Sequence, residues 1–216
     1  MIVVIGSPLG RLDDRGAVVA AGSAARIALA AASAGRTVQL VGRIGDDPIA
    51  DGILLDLTRG GVGHVAILRD AACATPLEAP AGPEVGDDAG AADVVEQDVA
   101  GGLALEPADV DLGLRYLTAF EVVVSADPSQ TGLTEVVAEA ALWAGARLVL
   151  VVEPGAPVAD PLPPDVIVFE APASDPDGAF ATLVGSFLAA LDDGTEPEDA
   201  LRASIAAEGW TRSDDD

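Results

Sequence analysis

The chain has 216 residues, 50% of them hydrophobic but only 3% aromatic, and a formal net charge of −25. That length and apolar content suffice to bury a sizeable core, while the charge repels a phosphate backbone and so excludes nucleic acid as a partner. All basic residues are arginine, which excludes a Schiff-base, P-loop or ATP-contacting lysine; one cysteine, Cys73, and one histidine, His64, exclude an internal disulfide and a Cys/His metal site.

Residues 2–5 are a short β-branched run with no basic flank, so no secretory signal is read there, and no apolar run reaches bilayer-spanning length. A cytoplasmic protein without membrane contact is expected. Similar runs at 38–41, 65–68, 122–125, 148–152 and 166–169 are read as buried strands. Helical patterns fall between them at 23–33, 48–59, 107–116, 131–143, 178–191 and 197–207, with Pro48 and Pro197 as first-turn prolines after polar residues. Strands alternating with helices predict an α/β fold of three layers: a mostly parallel sheet covered by helices on both faces. Residues 70–102, rich in Gly, Pro, Ala and Asp, break this rhythm and are read as a flap or lid remnant. Residues 1–212 are read as one domain and 213–216 as a disordered acidic tail. His64 reads as a satisfied edge residue, and Trp143 and Trp210 as core or interface anchors. Gly6 and Gly10 after the first strand invite a nucleotide- or dinucleotide-binding reading, although the G-x-G-x-x-G spacing is missing.

Three blocks together resemble the ribokinase-like (PfkB) carbohydrate kinase family. The stretch 40–62 is similar, without a gap, to the family pattern VGxxGxDxxGxxLxxxLxxxGV, with Gly42, Gly45, Asp47, Leu57, Gly61 and Val62 in place. Residues 21–28 resemble the sugar-binding helix start GGxxANxA through Gly22, Ala25 and Ala28, with Arg26 where the family has asparagine. Residues 175–194 resemble DTTGAGDAFxxGFLxxLxxG through Asp175, Gly178, Ala179, Phe187, Leu188, Leu191 and Gly194.

The resemblance implies a ribokinase-like fold with a reduced lid, and a shortened nucleotide half, because only residues 153–174 fill the interval before the third block. It also implies that catalysis has degenerated. Where the family has a second glycine and a catalytic aspartate, this chain has Phe180 and Ala181. Phe180 is expected to crowd a phosphate, and Asp175 and Asp177 to repel one. A register shifted by three residues leaves Gly178 at the base position with Asp177 beside it, which makes Asp177 the one catalytic candidate; otherwise Asp175 or Asp177 caps the helix. The phosphate-site remnant is Asp175, Gly178 and Ala179.

A small polar ligand, sugar- or nucleoside-like, is expected around Asp13, Gly22, Ser23, Arg26, Gly42 and Asp47. Two blander readings stand beside it: Ser23 as a plain helix cap, and Arg26 in a salt bridge to Asp13, Asp14 or Asp47. Thr75-Pro76 is similar to part of the family's lid strand, and residues 65–68 with the flap are candidates for a homodimer contact. An active kinase for a sugar or nucleoside, using ATP and Mg²⁺, is the enzyme alternative.

Overall fold

Ile2–Ile5 forms strand β1 and Val122–Ser125 forms β6, each buried along its whole length, because unbroken Val and Ile runs offer no face to water. The computed structural model describes residues 1–78, 103–117, 119–126, 132–156, 162–163, 165–175 and 177–207. In it these two strands are the centre of a six-stranded sheet. The others are β4 (Val38–Gly45), β5 (Val62–Asp70), β7 (Arg147–Val152) and β8 (Ile167–Glu170), in the order β5-β4-β1-β6-β7-β8. Every pairing is parallel; Ile2 lies opposite Val38 on one side and Val122 on the other.

Alternation along each strand then sorts the core into two halves. Ile2, Val4, Leu40 and Val124 face α1 (Gly22–Ser33), α2 (Pro48–Arg59), α5 (Ala179–Asp192) and α6 (Pro197–Ala207). Val3, Ile5, Val41 and Leu150 face α3 (Pro107–Arg115) and α4 (Leu133–Ala144). The α/β three-layer expectation holds. All six strands read from the sequence are those of this sheet, and the helices at 48–59 and 197–207 coincide with α2 and α6.

The sequence reading missed a separate antiparallel hairpin, β2 (Leu9–Leu12) with β3 (Val18–Ala21). Residues 65–68 lie inside β5, an edge strand of the central sheet bonded to β4. Of the expected flap, residues 76–78 run beside the hairpin, with Gly10 N–H donating to the Pro76 carbonyl at 2.9 Å and Glu78 N–H to the Gly10 carbonyl at 2.7 Å. The flap beyond residue 78, Trp210 and the tail 213–216 lie outside the described residues. Because β1 feeds a hairpin and not a helix, the dinucleotide reading of Gly6 and Gly10 loses the helix N-terminus it needs. Between β7 and α5 the described residues contain one strand and no helix. No helix among the described residues is long and apolar enough to cross a membrane.

Candidate functional site

Small residues bring α1 and α5 together: a Cβ on Gly185 would lie 2.5 Å from the Ala30 Cβ and 2.7 Å from the Ala31 nitrogen. This close crossing sets Arg26, one turn into α1, beside the loop that opens α5. Arg26 Nη1 donates to the Asp175 carbonyl at 2.7 Å, and Nη2 to both Glu78 carboxylate oxygens at 2.7 and 2.9 Å. Arg11 on β2 approaches the same carboxylate, with Nε 3.9 Å away. The salt-bridge reading of Arg26 is thus right in kind and wrong in partner. Asp13, Asp14 and Asp47 are all otherwise placed, and Glu78 follows Leu77, which bridges to Gly10 of the hairpin.

The start of α5, expected to be a phosphate-site remnant, is closed by the side chain of Asp175. Asp175 Oδ1 accepts the Phe180 N–H and Oδ2 the Ala181 N–H, each at 3.1 Å. A helix start presents unpaired N–H groups and a positive dipole end, so it attracts an anion; here that anion is an intramolecular carboxylate. Gly178 takes the left-handed conformation, φ 71°, that turns the loop into α5, and its N–H donates to the Asp175 carbonyl at 3.2 Å. Ala179 is the first helical residue. Asp175, and not Asp177, is the cap.

Phe180, expected to crowd a phosphate, is half-buried at the start of α5. Its ring packs edge-on to Phe169, centroids 6.5 Å apart, and Phe169 packs edge-on to Phe187 at 5.0 Å. Ala181 is buried. Asp177 is exposed. It lines a groove of about 490 Å³ between the hairpin, α1 and α5, together with Arg11, Asp13, Arg26, Asp56 and Ala181.

The remaining expected residues are mostly committed to structure. Asp13 turns the hairpin, its Oδ1 accepting from the Arg15 and Ala17 N–H groups at 2.9 and 2.8 Å. Ser23 caps nothing: α1 starts at Gly22, φ 79°, after an extended Ala21 with no side-chain cap, and Ser23 is exposed. Gly42 allows β1 to pass closely, since a Cβ there would lie 2.7 Å from the Gly6 carbonyl oxygen. Asp47 is doubly bound. Oδ1 accepts the Ala50 N–H at 2.8 Å, capping α2, and Oδ2 accepts the Thr75 N–H at 2.6 Å. Burial works against its ionisation, but those N–H groups outweigh burial and hold its carboxyl below the ordinary value. Thr75 completes the knot by accepting the Gly45 N–H at 2.9 Å.

Outside this region, Arg43 holds Asp70 at 2.7 Å and Asp109 at 3.4 Å. Burial and the Asp70 carboxylate push the Cys73 thiol up, away from the nucleophilic thiolate. His64, on β5, lies 3.0 Å from the Thr58 hydroxyl, a satisfied edge residue as read. Among the described residues no three His, Cys, Asp or Glu side chains cluster as a metal site requires.

The contacts here that the sequence did not disclose are those of Glu78 and Arg11. Glu78 sits in a stretch without periodicity. The hairpin carrying Arg11 had one signal, the turn-forming Asp13-Asp14-Arg15-Gly16 between two apolar segments.

No protein-family model matches the chain, and no curated protein matches it in sequence. Solved structures do match it in shape. The protein Sa239 superposes with a TM-score of 0.63 at 15% identity, covering 100% of this chain and 94% of its own. Ribokinase of Arabidopsis thaliana, solved with ribose and ATP, gives 0.62 at 17% identity, covering 96% and 90%. Aminoimidazole riboside kinase of Salmonella enterica gives 0.55 at 16% identity, again covering 96% and 90%.

Proposed function

The fold of this chain is ribokinase-like, and from that premise we propose that it is a degenerate sugar-kinase homologue that binds a small polar ligand without transferring phosphate. The observation that carries this reading is the Asp175 carboxylate on the Phe180 and Ala181 N–H groups. Phosphoryl transfer in such a fold depends on free backbone donors at the helix start and on a base near the acceptor hydroxyl. Two donors are taken and the base position is alanine. Loss of a general base alone costs about 10²–10⁴ in rate.

ATP and Mg²⁺, which the kinase alternative requires, fit these residues poorly. A triphosphate at the α5 start would meet Asp175 on the amides it needs and Asp177 beside them. A ligand-sized groove lies beside Ala181 on the same face, its lining including Arg11, Asp13 and Asp177.

The test is a coupled ADP-release assay with Mg·ATP across sugars and nucleosides, run beside thermal-shift screening with the same compounds. No turnover above background is expected, and at least one compound raises the midpoint; at a hundredfold excess over Kd, binding stabilises by about 2.7 kcal/mol. Turnover that Asp177→Asn abolishes and Ser23→Ala leaves intact would overturn the reading in favour of an active kinase. No shift with any compound would remove the ligand from it.

A further inference from the structure

On the opposite face of the sheet from Asp175, a groove of about 750 Å³ runs between α3 and α4. Its apolar walls are Leu114, Leu117, Phe120, Val136, Ala140 and Trp143. The last three recur at helical spacing, so one side of α4 forms a wall. Trp143 is 85% exposed, and Tyr116, at the end of α3, is 72% exposed. The chain has only two tryptophans and one tyrosine, so leaving one of each open to water next to an apolar groove marks a contact surface.

Charge decides what fits it. Arg115 on the groove wall is already held by Asp111 at 2.6 Å, which leaves Glu139 uncompensated in the groove among the described residues. A second copy of the chain would bring another net −25 against it. A small molecule would fill the groove and leave Tyr116 bare. We propose that the α3–α4 groove docks the apolar face of a cationic amphipathic helix from a partner protein, whose basic residues meet Glu139. Helix-in-groove recognition uses apolar anchors for affinity and flanking charge for choice of partner.

The full chain carrying Trp210→Phe, with Trp143 its only indole, is titrated with an amphipathic helical peptide of leucine and lysine. A second peptide keeps the leucine face and replaces lysine with glutamate. The lysine peptide shifts Trp143 emission to shorter wavelength, and the glutamate peptide does not. By calorimetry on the otherwise native chain, Trp143→Ser and Glu139→Lys each weaken the lysine peptide at least about tenfold. Glu198→Lys on α6, an equal charge change on the far face, leaves binding unchanged. Thermal midpoints of Trp143→Ser, Glu139→Lys and Glu198→Lys, all at exposed positions, and of Trp210→Phe report that the fold is kept. Four results would overturn the proposal: equal binding of both peptides, no binding of either, lysine-peptide binding indifferent to Trp143→Ser and Glu139→Lys, or a dimer that buries Trp143 without peptide. ADP release is scored separately, so turnover would remove the degenerate-kinase reading and leave this one standing.

Discussion

Replacing Asp175 by alanine tests whether the α5 start is occupied by the chain's own carboxylate. Two N–H groups lose their acceptor, both at 3.1 Å in the native chain, at the first turn of a 14-residue helix. Removing a capping side chain costs about 0.5–2 kcal/mol, and the charged acceptor places this one in the upper part of that range, about 1–2 kcal/mol. For a chain of this size that lowers the thermal midpoint by about 2–8 °C. The Arg26 bond survives, because its acceptor is the Asp175 backbone carbonyl. The exposed amides then become an anion site. Inorganic phosphate at ten times its Kd restores about 1.4 kcal/mol, from RT ln 11, measured against chloride at matched ionic strength. The native chain, whose amides are taken, gains no such increment over chloride. If native and variant midpoints respond equally to phosphate, or if the variant is as stable as the native chain, Asp175 is not the resident anion and the argument from it fails.

Asp47→Ala removes the α2 cap and leaves the Thr75 N–H without its 2.6 Å acceptor. A cap loss of about 1 kcal/mol with an orphaned donor of about 1–3 kcal/mol predicts a fall of about 2–4 kcal/mol, read as a lower urea midpoint with the m-value unchanged; an unchanged midpoint would return Asp47 to the ligand-binding set. Gly42→Ala sets a methyl 2.7 Å from the Gly6 carbonyl oxygen and 3.2 Å from Pro8 Cδ. That overpacking costs about 1–3 kcal/mol by thermal melt. Asp192 is nearly buried and accepts from the Met1 ammonium at 2.6 Å and Arg36 Nε at 2.8 Å. Burial opposes its ionisation, yet those two cations overcome it and hold its pKa down. A carboxyl lowered on folding stabilises fully above the unfolded value, about 3.9, and loses that contribution as pH falls through the native one. Urea midpoints measured downward from pH 5 should therefore fall more steeply for the native chain than for Asp192→Asn.

Local pattern alone determined the six strands and six helices of the central layers, because burial on one or two faces imposes a period on nearby residues, whatever lies far away in the chain. It also determined that position 181 has no base, since Ala181 is a matter of residue identity, and it supplied the helix cap, because Asp175 reaches Phe180 across only five positions. The hairpin was invisible to that period: Leu9-Gly-Arg-Leu12 does not alternate, and half of it faces water. Tertiary structure alone decided the sheet order and the partners of Arg26. Glu78 is 52 positions away and Asp175 is 149, and an ion pair leaves no imprint on the residues between its ends. An arginine reads the same in sequence whether it awaits a ligand or is already held, and only the close crossing of α1 and α5 at Gly185 and Ala30 determines which.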